Sequence, residues 1–243
     1  MLLPPVASPP LVTISTTPAS PSRRSGILTS VNSEQDPAER LAQYLSAAGL
    51  ILLQNKETKQ LTNYLALIQR WNARTNLTGV RDAEGILQRH FVESIACAQA
   101  LPAGIQTLLD YGSGAGFPGI PIAICRPAIA VTLAESQGKK AAFLQEAIRV
   151  TGISARVHTG RAETLTASFD CVTLRAVDRM EAALRSAALL VAPGGWLAPL
   201  TTRAESPTLQ AAAGPGFNWS VPVPLPGTTH GILLLGRRVS PAG

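Results

Sequence analysis

The sequence predicts an α/β protein: a mostly parallel sheet covered by helices on both faces, preceded by a small helical cap. Three observations carry this. From Leu108 onward, strand-like and helix-like stretches alternate. A glycine run (Gly112, Gly114, Gly116, Gly119) follows an apolar strand end that closes on Asp110. A second apolar stretch then ends on another acid, Glu135, about twenty residues past the loop.

The elements follow in order. Residues 1–35 hold Pro4, Pro5, Pro9, Pro10, Pro18 and Pro21, with no acid before Glu34. Proline at this density blocks helix and sheet, so a disordered Pro/Ser/Thr-rich extension is expected. It has no basic region ahead of an apolar one, and Arg23-Arg24 leads into no apolar run, so an export signal is not expected. A helical cap is expected over 36–103. Asp36 suits a helix N-cap, Pro37 the first helical position and Glu39 a capping box, with a stop near Gly49. A second helix is expected from Asn55 to Asn72, where Leu61, Tyr64, Leu65, Ile68 and Trp71 form one stripe. A third is expected from Asp82 to Leu101. The sheet domain then spans 104–243, with strands near 107–111, 130–135, 155–159, 169–174 and 195–200. The tail reads as an antiparallel hairpin, Asn218–Val223 with Gly231–Leu235, turning through Pro224, Pro226 and Gly227.

Composition narrows the function classes. The 243 residues are enough for a sizeable core, and 21 Lys+Arg against 15 Asp+Glu give a net +6, a mild excess that suits a polyanionic partner. The three cysteines, Cys97, Cys125 and Cys171, show no Cys-x-x-Cys spacing and lie in apolar stretches. They read as reduced core thiols of a cytoplasmic protein. Three histidines without ligand spacing leave no metal motif, and no stretch is long enough to span a membrane.

The glycine loop carries the chemistry. Glycines let the backbone turn sharply and let a ligand approach closely, and the following helix start presents free N–H groups. Gly114-x-Gly116-x-x-Gly119 satisfies a dinucleotide fingerprint, which keeps a nicotinamide-dependent oxidoreductase in play. In that register, however, the first glycine should follow the strand directly. That position is Gly112, and Phe117 falls where the third glycine belongs. Asp110-x-Gly112-x-Gly114-x-Gly116 is instead the pattern of S-adenosylmethionine (SAM) methyltransferases. Asp110 then holds the loop or meets the methionine amino group. Glu135, at the end of the second strand, suits the two ribose hydroxyls of a nucleoside.

The chain resembles the RsmG (GidB) family of bacterial 16S rRNA guanine-N7 methyltransferases. The resemblance rests on an ordered set of segments between about Leu45 and Gly195. These are Trp71-Asn72, Asn76-Leu77-Thr78, Arg89-His90-Phe91-Val92-Glu93-Ser94, the run Gly112 to Pro121, Glu135-Ser136, Lys139-Lys140, Phe143-Leu144, Gly160-Arg161-Ala162-Glu163 and Arg175-Ala176-Val177. Three features depart from it: Glu93 stands where the family has Asp, residues after Arg203 match poorly, and residues 1–35 have no counterpart.

The resemblance implies a class I SAM-dependent methyltransferase (Rossmann-like) sheet with a small N-terminal helical cap, using SAM and acting on 16S rRNA or the small ribosomal subunit. It implies cofactor contacts from Asp110, Gly112, Gly114, Gly116, Phe117, Glu135, Ser136, Ala162, Glu163 and Arg175, with Arg175 near the methyl donor. RNA contacts are expected from Arg89, His90, Lys139, Lys140 and Arg161. No metal, membrane or second subunit is expected. Guanine N7 is an unprotonated lone pair, so no catalytic base is required. A methyltransferase of another acceptor (small molecule or protein) and a non-catalytic SAM- or RNA-binding module are the alternatives.

Overall fold

The computed structural model describes residues 36–240, so the expected disorder of 1–35 lies outside the described residues. Helix α1 (Pro37–Ala47) starts where Asp36 accepts a hydrogen bond from the Ala38 amide, and the chain turns at Gly49. Helix α2 (Asn55–Asn72) buries Leu61, Tyr64, Leu65 and Ile68 on one stripe. The expected third helix is a composite: α3 (Ala83–Gly85), a π-helical segment (Ile86–Phe91) and α4 (Val92–Ala100). In the π segment the Val92 amide reaches the Leu87 carbonyl, which widens the turn. Apolar periodicity does not reveal that bulge.

The sheet is built from β1 (Thr107–Tyr111), β2 (Ala130–Glu135), β3 (Ala155–Thr159), β4 (Phe169–Arg175) and β5 (Val191–Thr202). They lie parallel in the order β3-β2-β1-β4-β5. Helices α5 (Gly119–Cys125) and α6 (Gly138–Thr151) link the first three strands, and α7 (Met180–Leu189) links β4 to β5. One buried cluster joins the cap to this sheet, with Leu61, Tyr64, Ile86, Phe91, Ile95, Leu108, Leu133 and Phe143 in a single core. Trp71 and Arg70 of α2 both donate to the Glu146 carboxylate of α6, at 2.8 and 2.5 Å, fastening the cap to the sheet's covering helix.

The tail departs from a simple hairpin. After α8 (Ser206–Ala213) come four short strands, β6 (Phe217–Trp219), β7 (Val223–Pro224), β8 (Gly231–Leu233) and β9 (Gly236–Arg238). The stretch 231–238 runs antiparallel to β5, β8 on its upper half and β9 on its lower. The break between them lies near Pro199, whose carbonyl accepts from the Leu234 amide but which has no N–H to return. The outer partner is split in the same way, with β7 on β8 and β6 on β9.

Cys97 and Cys171 are buried free thiols, whereas Cys125 is half-buried. Among the described residues no helix is long and apolar enough to cross a membrane, and no group of three or more His, Cys, Asp or Glu side chains comes together.

Candidate functional site

The carboxyl ends of β1, β2, β3 and β4 open into a cleft of about 690 Å³, within the range of small-molecule sites. Its floor is the glycine loop. Gly114 has φ +57°, and a Cβ built there would meet almost nothing, so its outer side is open cleft. Gly116 differs: a Cβ would fall 2.5 Å from Ile120 and 2.7 Å from the Tyr64 hydroxyl. Gly116 does not line the cleft; it lets the loop pack against the core.

Asp110 is placed in the same way. It is 1 % exposed and off the cleft wall. Its carboxylate accepts from the Gly119 amide at 3.1 Å and from the Thr173 hydroxyl at 3.1 Å. Burial raises its pKa to about 6 even though these bonds, one with Ser113 and the charge of Arg175 pull it down. Of the two roles read from the sequence, Asp110 holds the loop.

Glu135 lines the cleft and clips two elements together. One oxygen accepts from the Gly114 amide at 2.9 Å and the other from the Gln137 amide at 2.7 Å. Each oxygen keeps a further lone pair. Ser136, Gly112, Phe117, Ala162 and Glu163 also line the cleft. Tyr111, beside Glu163, lowers the pKa of that carboxyl by hydrogen bonding.

The opposite wall comes from the cap and the end of β4. Arg175 donates to the Glu93 carboxylate and, at 3.0 Å, to Nδ1 of His90. The Arg175 and Glu93 side chains are only 12 % and 8 % exposed, so the cation is neutralised where it is desolvated. His90 packs on Phe117 with ring centroids 5.1 Å apart. Burial, with the nearby charges of Arg175 and Arg89, lowers the His90 pKa to about 3. The π-helical segment sets Arg89 and His90 on this wall.

Arg89, Lys140 and Arg161 line the cleft as expected RNA-contact positions, but Lys139 does not. It stands one position earlier on α6, exposed; one residue is roughly 100° of helix, which turns it off the wall. Several wall residues escaped the sequence reading: Thr78, Gln137, Asp178, Arg179 and Ser186. Asp178 and Arg179 belong to the loop after β4, where Ala176 and Arg179 take positive φ (49° and 53°). A loop at the carboxyl end of a central strand is the signal that would have found them. Thr78 is held by Asn72, whose side-chain carbonyl accepts from the Leu77 and Thr78 amides at 3.1 and 3.2 Å.

Comparison with known proteins decides the family. The family model GidB, rRNA small subunit methyltransferase G, matches residues 57–212, from α2 into α8. The chain is 42 % identical over 174 residues to ribosomal RNA small subunit methyltransferase G of Xanthomonas euvesicatoria pv. vesicatoria (strain 85-10), which covers 69 % of this chain and 80 % of that relative. This chain belongs to the GidB family. The GidB match takes in both walls of the cleft and stops before the four tail strands. Among solved structures, the ribosomal protein L11 methylase of Lactobacillus delbrueckii subsp. bulgaricus superposes with TM-score 0.52 at 14 % identity, covering 60 % of this chain and 77 % of that one. The fold is that of class I SAM-dependent methyltransferases.

Proposed function

We propose that this GidB-family methyltransferase moves the methyl group of SAM to N7 of a guanine in small-subunit rRNA. The observation that carries the reading is the Glu135 clip. A carboxylate at the carboxyl end of β2, bonded to the Gly114 amide at 2.9 Å, stands beside a loop surface that a Cβ would fill. That is a cradle for a ribose and an amino-acid chain. Glu135 would accept from the ribose hydroxyls, Ala162 and Glu163 would frame the adenine, and Gly112 and Gly114 would let the methionine portion pass. Phe117, Ser136 and Arg175 would complete the wall.

SAM, when bound, supplies a methyl group on a positively charged sulfur. Guanine N7 is an unprotonated lone pair that could accept this methyl without losing a proton, so no residue of the chain need act as a base. The protein's task is therefore alignment and exclusion of water. Its wall suits this: the Arg175 charge is offset by Glu93 and the His90 ring is uncharged at neutral pH, so the charges nearest the methyl do not repel a cation. Arg89, Lys140 and Arg161 would grip phosphates around the base. Action on small ribosomal subunits would place the protein in the cytoplasm.

The test pairs calorimetry with transfer of labelled methyl to small-subunit particles. S-adenosylhomocysteine should bind where NAD does not, and label should enter rRNA. Tighter binding of NAD would overturn the cofactor assignment.

A further inference from the structure

The cleft has two ends. The β2 and β3 end carries Glu135 and Ala162; the β4 end carries Arg175 and His90. If the nucleoside lies at the first, the acceptor base must enter beside the second. What that end presents to a base follows from one contact. Arg175 has only donors and never loses its proton in a protein. At 3.0 Å from His90 Nδ1 it must donate there, so Nδ1 is an acceptor. The ring proton of His90 therefore sits on Nε2, where no protein group takes it up among the described residues. The ring is fixed in place, with Phe117 against its face and Arg175, itself held by Glu93, on its other nitrogen.

We propose that His90 is the residue that selects guanine: its Nε2–H donates to O6 of the acceptor base and leaves the neighbouring N7 free to attack. O6 and N7 lie side by side on guanine's Hoogsteen edge. Adenine puts an amino donor where guanine has O6, so it would set donor against donor. A neutral donor also suits the chemistry better than a cationic one. A full charge on O6 would draw electron density from N7 and repel the methyl sulfonium. The low pKa of His90, caused by burial and by Arg175 and Arg89, keeps the ring in this form. His90 is thus a positioning residue for the acceptor, and the inference rests on the guanine-N7 reading above.

The experiment uses reconstituted small-subunit particles with a single base changed at the methylated position. Replacing guanine by 2-aminopurine keeps N7 and the 2-amino group and removes O6. Wild-type protein should show kcat/KM for guanine at least about ten-fold above that for 2-aminopurine, the worth of one lost hydrogen bond of this kind. His90→Leu should lower the guanine rate and abolish the preference. His90→Gln, whose amide nitrogen falls near the position of Nε2, should restore it. Equal wild-type rates on the two bases would overturn the proposal without any variant. So would a preference that survives in His90→Leu. Nitrogen-15 spectra of the wild-type ring should show the neutral Nε2–H tautomer from pH 5 to 8, and a charged ring or a proton on Nδ1 would overturn it as well. A 7-deazaguanine particle separates this from the underlying reading. Methylation of that particle would mean N7 is not the acceptor, whatever His90 does.

Discussion

At the scale of single residues, Asp110 makes the sharpest prediction. It is fully buried, and its pKa stands at about 6 against 3.8 in an unfolded chain. The folded protein therefore holds this proton more tightly than the unfolded one. Between pH 4 and 6 the folded state binds more protons, so this group lowers stability as pH rises through that window. About one unit above pH 6 its contribution is gone. Two units correspond to roughly 3 kcal/mol. Asp110→Asn can still accept from Gly119 and donate to Thr173, so the variant should fold and lack this term. Denaturant titrations at pH 4 and 7 should show wild type losing about 2 kcal/mol more than Asp110→Asn over that interval. Equal losses would mean that the Asp110 carboxyl is not desolvated.

Glu135 predicts a loss of a different kind. Glu135→Gln replaces an ionised acceptor with a neutral one and turns a donor toward the Gly114 or Gln137 amide. Hydrogen bonds to charged groups are worth ~1.5–3 kcal/mol. S-adenosylhomocysteine affinity should thus fall by roughly one to two orders of magnitude. Calorimetry decides, and unchanged affinity would remove Glu135 from the ribose.

Among elements, a hydrogen bond ties the glycine loop to the cap helix α2: the Tyr64 hydroxyl donates to the Ala115 carbonyl. Tyr64→Phe leaves that carbonyl buried and unpaired, at a cost of about 1–3 kcal/mol. It should lower both melting temperature and cofactor affinity. The glycines separate the two effects. Gly116→Ala forces a Cβ into Ile120 and Tyr64 and should cost stability first. Gly114→Val projects into the cleft and should abolish S-adenosylhomocysteine binding; it carries the strain of a branched side chain at φ +57° but not the clash that Gly116→Ala adds, so its melting temperature should fall less. Equal melting losses in the two variants would contradict this division.

The loop was legible in sequence because its requirements are local: a strand end, positions open to positive φ, a helix start. Four of the five parallel strands were legible for the same reason, since each is a mostly apolar run of strand length; β3, Ala-Arg-Val-His-Thr, is half polar and follows from the alternation of strands and helices. The partner of Arg175 was only half legible. A buried cation at a strand end demands a counter-charge, but that charge is Glu93, 82 residues earlier, and nothing in sequence spacing joins the two. Asp110 was ambiguous because β1 is buried on both faces, so alternation does not tell which way an acid at its end turns. The divided tail depends on which proline lies opposite it in space, and Lys139 on a single step of helix phase.

For the molecule as a whole, the net +6 is not spread evenly over the cleft. Arg89, Lys140, Arg161 and Arg179 line it, whereas Lys139 faces away. Each phosphate neutralised on binding releases condensed counterions. Lys140→Ala should therefore reduce the salt slope of rRNA binding by about one unit, and Lys139→Ala by much less. Filter binding across a salt series checks this, and equal effects from the two lysines would place the RNA over another face.

The proposed methyl transfer to guanine N7 leaves a mark that strand cleavage can read. Small-subunit rRNA is incubated with the purified protein and SAM, then treated to cleave the strand at N7-methylguanine. Cleavage at a single guanine is expected, dependent on SAM and lost in Gly114→Val. Label incorporated without cleavage, or cleavage that persists in Gly114→Val, would contradict it.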